Sequence, residues 1–92
     1  MSMVRHDIRV TGRVQGVGFR YTAMRAAADH PDVTGWVRNE PDGSVRCVVE
    51  GETAALDAFL ADLRGRMEGN IDDVSITAGD ATGEFEIFEV RR

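Results

Sequence analysis

The order along the chain of segments with helical spacing and segments with strand alternation constrains the fold more than any other feature. Apolar residues recur with helical spacing in segment 56–63, and an alanine-rich segment, 20–29, also predicts a helix. Around these two helices, apolar and polar residues alternate with the period of half-buried strands. The strand segments are 8–14, 33–39, 45–49 and 74–78, with a last one at 85–90 that has apolar residues at both parities.

This order, β-α-β-β-α-β, predicts an α+β fold of the ferredoxin-like type, in which an antiparallel sheet carries both helices on one face. Because crossover connections are right-handed, essentially one arrangement of the strands remains. A chain of 92 residues can form one hydrophobic core, so we expect a single domain over residues 1–92. We also expect Cys47 to lie in the core, and Trp36 to pack on the sheet rather than stack on a substrate.

The turn between the first strand and the first helix is the first candidate site. In the segment 15–20, Gln-Gly-Val-Gly-Phe-Arg, two glycines allow a tight turn in which successive N–H groups point into one concavity. The positive end of the helix lies behind them, and Arg20 can add a bidentate guanidinium contact to a bound phosphate. Glycines before a helix are common, however, and from these residues alone a purely structural turn explains the sequence equally well.

A second candidate residue, Asn39, lies at the end of the second strand, in Gly35-Trp36-Val37-Arg38-Asn39. Its amide can hold a water molecule as acceptor and donor together. Asparagine also begins turns often, and Pro41-Asp42-Gly43 follows at once, so a turn role stays open.

Together these segments resemble the acylphosphatase family. The resemblance rests on Gly12-Arg13-Val14-Gln15-Gly16-Val17-Gly18-Phe19-Arg20, on Gly35-Trp36-Val37-Arg38-Asn39 and on Asp42-Gly43-Ser44-Val45. It implies an enzyme that hydrolyses acyl phosphates to a carboxylate and inorganic phosphate, without a metal or an organic cofactor. Carried over by position, Arg20 and the backbone amides of Gln15, Gly16, Val17, Gly18, Phe19 and Arg20 would bind the phosphoryl group, and Asn39 would orient the attacking water.

Two departures from the family pattern bear on the site. His30-Pro31-Asp32 replaces the usual leucine- or isoleucine-glycine ending of the first helix and is one residue longer, which could shift Asn39. The sequence also ends in Arg91-Arg92 where an arginine-aromatic pair is common. We expect the loss of that aromatic residue to cost packing and to leave the chemistry unchanged.

Net charge and composition limit the kinds of molecule that the protein is expected to bind and the compartment in which it is expected to act. The formal net charge is −5 and all 11 basic residues are arginine, a usage that either a GC-rich genome or a salt-loving source would produce. An acidic surface disfavours nucleic acid, because binding to it depends on neutralising phosphates. One cysteine allows no intrachain disulfide, and no apolar run reaches the roughly 20 residues of a membrane span. We therefore expect a cytoplasmic monomer that acts on a small molecule.

Two other functions remain compatible with the sequence. A phosphate or carbamoyl-phosphate sensor would use the same glycine-rich turn for binding without turnover. A small RNA-binding domain of the ferredoxin-like type would need exposed aromatic residues at strand centres, and the acidic composition opposes it.

Overall fold

The computed structural model describes residues 2–92, and its helices and strands follow the predicted order, with a shorter last strand than the predicted segment 85–90. They are β1 (Met3–Gly12), α1 (Phe19–Ala28), β2 (Thr34–Asn39), β3 (Val45–Glu52), α2 (Thr53–Arg66), β4 (Ile71–Asp80) and β5 (Phe88–Val90). The sheet order is β4-β1-β3-β2-β5. The first four strands have the ferredoxin-like arrangement, which confirms the predicted fold class.

The pairing of β5 corrects one detail of the prediction, because the sheet is mixed rather than wholly antiparallel. Three strand pairs are antiparallel, but β5 runs parallel to β2, with Gly35 opposite Phe88 and Val37 opposite Val90. β4 and β5 lie at opposite edges, so the loop 81–87 crosses one end of the sheet between them. After this loop, β5 runs alongside β2 in the same direction, so the two strands pair in parallel.

The core lies between the two helices and one face of the sheet. All four members of the predicted α2 stripe, Leu56, Phe59, Leu60 and Leu63, are buried, which confirms that helix. Phe59 packs against Phe88, with ring centroids 5.6 Å apart, and this contact settles the parity of β5. Phe88 and Val90 therefore face the core, whereas Ile87 is 66% exposed. The predicted burial of Cys47 is confirmed, and burial raises the pKa of its thiol.

β1 differs from its predicted bounds at both ends. The strand begins at Met3 and stops at Gly12, where the pairing with β4 shifts register at a β-bulge. Gly12 has φ +127°, and a Cβ there would lie 2.3 Å from the Asn70 carbonyl oxygen. Glycine is therefore required for the close approach of β1 to the segment that precedes β4. Val14 is no longer in the strand, yet its side chain is buried.

The outer face of the sheet, away from the helices, carries ion pairs around Trp36. The indole is 6% exposed and is flanked by the guanidinium groups of Arg38, Arg46 and Arg91, at 4.8, 5.5 and 5.1 Å from the ring centroid. Trp36 thus packs on the sheet, as predicted. Arg46 also donates two hydrogen bonds to Asp7, of 3.0 and 2.6 Å, and this contact lowers the pKa of the Asp7 carboxyl.

Candidate active site

The turn between β1 and α1, residues 13–18, adopts the conformation that its glycines suggested. Gly16 and Gly18 have φ of +75° and +79°, and Gly18 is the N-cap of α1. A Cβ at either position would meet open space. The positive φ, and not crowding, is therefore the reason for glycine here.

The N–H groups of this turn are available to a ligand. The first hydrogen bond of α1 runs from the Thr22 N–H to the Gly18 carbonyl, at 2.9 Å. Within residues 2–92, none of the backbone N–H groups of residues 15–21 donates a hydrogen bond to a protein acceptor. Free N–H groups at a helix N-terminus, backed by the helix dipole, favour an anion.

Arg20 adds a positive charge beside these donors. Its side chain lines a pocket of about 250 Å³ together with Gly16 and Gly18. Within the part of the chain that the structure describes, Arg20 forms no ion pair with a carboxylate, so its guanidinium can meet the charge of a ligand. Six of the other ten arginines are ion-paired, and among residues 2–92 Arg13, Arg25, Arg64 and Arg92 resemble Arg20 in having no ion pair. The six paired ones are Arg5, Arg9, Arg38, Arg46, Arg66 and Arg91.

Asn39, the last residue of β2, lines the same pocket. Its side-chain oxygen Oδ1 is buried, and no protein group among residues 2–92 donates a hydrogen bond to it. An unpaired buried carbonyl oxygen costs about 1–3 kcal/mol, a cost that a bound water or ligand removes. The structure therefore brings Asn39 and Arg20 to one pocket, and the amide oxygen of Asn39 is buried there without a protein partner among residues 2–92.

The Gln15 side chain, for which no contact was predicted, holds a neighbouring hairpin, whereas only the backbone amide of Gln15 was predicted to bind the phosphoryl group. Its Nε2 donates to the carbonyl oxygens of Glu40, at 2.7 Å, and Ser44, at 2.8 Å. These carbonyls flank the β2–β3 turn that follows Asn39. The Gln15 side chain thus joins the glycine-rich turn to that hairpin, and only its backbone N–H remains for a ligand.

The beginning of the glycine-rich turn is also held, by Asn70. The Arg13 N–H donates to the Asn70 carbonyl at 2.8 Å, and Asn70 Nδ2 donates to the Arg13 carbonyl at 2.9 Å. Arg13 and Gln15 thus fix the start of the turn and α1 begins directly after Gly18, so the N–H groups of residues 16–18 lie between two fixed segments.

The remaining predicted residues reach the pocket in part. Gly16, Gly18, Phe19, Arg20 and Asn39 all line it. The Phe19 ring is buried in the core, so its backbone N–H is the group available to a ligand, and Val17 does not line the pocket.

The unusual His30-Pro31-Asp32 turn leaves the second strand in place. It closes with a hydrogen bond from the Val33 N–H to the His30 carbonyl, at 2.9 Å. Gly35 then pairs with Val49 in unbroken register up to Asn39, which stays in the pocket with Arg20. The extra residue is therefore absorbed before β2 begins.

Four lining residues were not predicted as site residues: Val14, Tyr21, Val90 and Arg92. For position 92, the only expectation was that the loss of an aromatic residue costs packing. The alternation of Phe88, Val90 and Arg92 was a signal for Arg92, but that signal could be used only once the parity of β5 was known.

Among residues 2–92, no group of three or more histidine, cysteine, aspartate or glutamate side chains is placed to hold a metal ion. No helix in this part of the chain is long and apolar enough to cross a bilayer.

The fold is that of an α+β protein of the ferredoxin-like type, and its pocket contains groups that favour an anion. Comparison with known proteins narrows this class: the acylphosphatase family model matches residues 6–90. The acylphosphatase of Salinibacter ruber is 48% identical over 89 residues, covering 96% of this chain and 93% of that protein. That of Paenarthrobacter aurescens is 44% identical over 88 residues, covering 95% and 93%. A crystal structure of Bacillus subtilis acylphosphatase, 32% identical, superposes with a TM-score of 0.87 over 97% of this chain and 99% of that one.

The chain belongs to the acylphosphatase family, and it is a hydrolase of that family.

Proposed function

We propose that this protein hydrolyses the carboxyl-phosphate bond of acyl phosphates to a carboxylate and inorganic phosphate. In this proposal the backbone N–H groups of residues 15–20 and the Arg20 guanidinium hold the phosphoryl group, and a water oriented by Asn39 attacks phosphorus. The observation that carries the proposal is the buried, unpartnered Oδ1 of Asn39 in the same pocket as the unpaired Arg20.

The chemistry suits a site of this kind. The leaving group is a carboxylate, which departs readily, so the reaction needs positioning and charge stabilisation more than covalent catalysis. In phosphoryl transfer, negative charge is spread over the equatorial oxygens of the transition state. N–H donors held before the ligand arrives, together with a bidentate guanidinium, stabilise that charge without having to reorganise.

Asn39 would place the nucleophile. Its Oδ1 accepts a hydrogen bond from the water and its Nδ2 can donate one, which orients an oxygen lone pair. No carboxylate or imidazole is among the pocket-lining residues of the described chain. We therefore assign the proton of the attacking water to an oxygen of the substrate's own phosphate. A pH profile that requires an enzyme base titrating near neutrality would contradict this assignment.

Gln15 contributes twice to this arrangement. Its backbone N–H belongs to the phosphate-binding turn, and its side chain holds the carbonyls of Glu40 and Ser44. Glu40 directly follows Asn39, so the two hydrogen bonds fix the distance between the bound phosphoryl group and the oriented water.

The proposal also covers the domain organisation, oligomeric state, cofactors, partners and location of the protein. We infer that residues 1–92 act as one domain, as a cytoplasmic monomer, without a metal, an organic cofactor, a nucleic-acid partner or a membrane. The net charge of −5 supports the exclusion of nucleic acid. Small size supports the monomer.

Hydrolysis of benzoyl phosphate by the purified protein in EDTA tests the function. We expect turnover well above background, abolished in Arg20→Ala and strongly reduced in Asn39→Ala. Arg64→Ala is the matched control, because Arg64 is an exposed arginine on α2 and does not line the pocket. Loss of activity in EDTA would contradict the metal-free mechanism, and tight phosphate binding without turnover would establish a sensor instead.

The site of attack can be tested separately with water labelled with heavy oxygen. Attack on phosphorus puts the label into inorganic phosphate. Label in the benzoate, after subtraction of the uncatalysed reaction, would mean attack on the carbonyl carbon and would contradict the role given to Asn39.

A further inference from the structure

The side chains of the β2–β3 turn have no task in the proposed reaction, although they are closely organised. Asp42 Oδ1 accepts two hydrogen bonds from Ser44, one from its N–H at 2.9 Å and one from its hydroxyl at 2.6 Å. These contacts hold the pKa of the Asp42 carboxyl below its usual range. Gly43, between the two residues, has φ +92°. An ionised Asp42 therefore closes the turn by bonding the residue two positions further on.

Arg9 of β1 connects this turn to the outer face of the sheet. Ile8 and Val10 are buried in the core, so Arg9 lies on the opposite face. Its Nη1 donates to Ser44 Oγ at 2.9 Å and to Asp42 Oδ2 at 3.2 Å. Ser44 is 4% exposed, and its hydroxyl accepts from Arg9 while it donates to Asp42. We call Arg9, Asp42 and Ser44 the outer clamp.

The outer clamp is connected to the candidate active site through Ser44. The Ser44 carbonyl accepts from the Glu40 N–H and from Gln15 Nε2, both at 2.8 Å. Glu40 directly follows Asn39, and Asn39 lies opposite Val45, the residue after Ser44, in the β2–β3 ladder. The end of β2 that carries Asn39 is therefore held from two sides, by Gln15 of the glycine-rich turn and by the outer clamp.

The exposure of the outer clamp indicates that positioning, rather than stability, is its main contribution. The Arg9 and Asp42 side chains are 44% and 63% exposed, and an ion pair between exposed groups adds little to stability. An attacking water, in contrast, must be held closely, because a displacement of about 1 Å can cost a hundredfold in rate. A small shift of the end of β2 would therefore affect the reaction more than the fold.

We propose that Arg9 and Asp42 are positioning residues of the reaction. Together with Ser44 they hold the end of β2 where Asn39 orients the attacking water. They act through Asn39 and not on the bound phosphoryl group. This proposal rests on the proposed function, since it assigns further residues to the same reaction.

The kinetic test compares kcat for benzoyl phosphate with inhibition by inorganic phosphate. We expect kcat to fall about tenfold in Asp42→Ala and about threefold in Arg9→Gln. Asp42→Asn keeps an acceptor for Ser44 but not the charge that pairs with Arg9, so its kcat should recover to the level of Arg9→Gln. Phosphate inhibition should stay within about twofold of wild type in all three variants, because they leave the N–H donors of the glycine-rich turn in place.

A double-mutant cycle tests whether the outer clamp acts through Asn39. In an Asn39→Ala background, Asp42→Ala should lower kcat by less than about twofold further. A further tenfold loss there, or a weakening of phosphate inhibition as large as the fall in kcat, would overturn the proposal.

Asp7→Ala is the matched control for Asp42→Ala. Asp7 also pairs with an arginine on the outer face, since Arg46 donates to it at 3.0 and 2.6 Å, but Asp7 is two residues further than Arg9 from the turn along β1. It is also less exposed than Asp42, at 36%. Asp7→Ala should therefore lower the urea midpoint at least as much as Asp42→Ala does, yet keep wild-type kcat. The proposal is wrong if kcat follows the urea midpoint in both variants.

Hydrogen exchange of the backbone amides tests the outer clamp without turnover. Relative to the Val48 amide at the centre of the sheet, the Glu40 amide should exchange about tenfold faster in Asp42→Ala than in wild type, and at the wild-type ratio in Asp7→Ala. Faster exchange of Glu40 supports the hold of the clamp on the end of β2 even if benzoyl phosphate is not hydrolysed, in which case the proposed function is what fails. Unchanged exchange of Glu40 in Asp42→Ala overturns the proposal even if hydrolysis succeeds.

Discussion

Two loops at opposite ends of the sheet present backbone N–H groups that an anion can accept. The glycine-rich turn, residues 13–18, for which phosphate binding is proposed, lies at one end and the crossover loop, residues 81–87, at the other. Each contains a glycine with φ +75°, Gly16 in the turn and Gly83 in the crossover loop. Each also lies beside an arginine.

In the crossover loop the anion is part of the protein. The buried Glu50 carboxylate accepts hydrogen bonds from the Thr82 N–H, the Thr82 hydroxyl and the Gly83 N–H, each at 2.9 Å. Arg5 adds a fourth contact at 3.2 Å. Burial raises the pKa of the Glu50 carboxyl, but these donors outweigh it and the net shift is downward.

The glycine-rich turn has donors of the same kind, but the backbone N–H groups of residues 15–18 and the Arg20 guanidinium have no protein partner among residues 2–92. The Thr82 and Gly83 N–H groups of the crossover loop are instead satisfied by Glu50. The comparison suggests two uses for one backbone device: stability where the anion is internal and, in the proposal, ligand binding where it is not. Substitutions in the two loops should therefore affect different measurements.

The largest expected effect is on catalysis, in Arg20→Ala. Removing the guanidinium that meets the developing charge should lower kcat/KM for benzoyl phosphate about a thousandfold. The free energy of unfolding should stay within about 0.5 kcal/mol of wild type, because Arg20 has no protein partner to lose. Arg5→Ala is the counterpart: it should lower stability and keep kcat/KM. Equal losses of activity in both variants would remove the distinction between the loops.

Glu50→Ala should have the largest effect on stability. It removes the acceptor of four hydrogen bonds, so the Thr82 and Gly83 N–H groups lose their partner while Arg5 keeps its ion pair with Glu84, at a cost of about 2 kcal/mol. Urea unfolding measures this loss. Kinetics at a temperature where the variant is folded should give wild-type KM, since the loop is at the far end of the sheet from the pocket; a raised KM would show that the two ends are coupled.

Gln15→Met should reduce kcat about tenfold, because it keeps the shape of the side chain but cannot donate to Glu40 and Ser44. If Gln15 acts by positioning Asn39, the same substitution in an Asn39→Ala background should cost almost nothing further. Inhibition by inorganic phosphate should change less than kcat does. Full additivity of the two substitutions would assign Gln15 a role independent of Asn39.

Acid should weaken the crossover loop in a predictable direction. The pKa of Glu50 is lower in the folded protein than the unfolded value of about 4.3, so its carboxylate adds stability above that pH. This contribution is lost as the pH falls through the folded pKa. The difference in unfolding free energy between wild type and Glu50→Gln should be constant near pH 7 and shrink below about pH 4. A difference that grows on acidification would mean that the pKa is raised instead.

We expect the smallest effects on stability and binding from a matched pair of substitutions, Gly16→Ala and Gly83→Ala. Both glycines have φ +75° and open space for a Cβ, so each substitution should cost about 1 kcal/mol of backbone strain. Unfolding experiments should show similar losses. Only Gly16→Ala should also weaken phosphate inhibition, because only that turn holds its N–H groups for a ligand; an equal effect from Gly83→Ala would contradict this.

The sequence predicted the helices and the first four strands because each has one clear periodicity. Residues 85–90 were different, since apolar side chains occupy both parities and only the contact of Phe88 with Phe59 decides which face is buried. The parallel pairing of β5 was also out of reach, because it depends on the path of the loop across the sheet. Local patterns do not contain that path.

Sequence motifs located much of the candidate site for the same local reasons. Gly16, Gly18 and Arg20 could be predicted because positive φ and a helix N-terminus have local signatures. The Gln15 side chain could not, since its partners, Glu40 and Ser44, are far away in the sequence. Arg92 was missed because its side of the sheet depends on the parity of β5.

The most direct test of the contrast between the loops is a titration with inorganic phosphate in which the backbone amide resonances are monitored by nuclear magnetic resonance. The account predicts large, saturable shifts for residues 16 to 21 and none for Thr82 and Gly83, whose N–H groups already bind Glu50. Absence of shifts in the turn, or shifts of equal size in both loops, would contradict it.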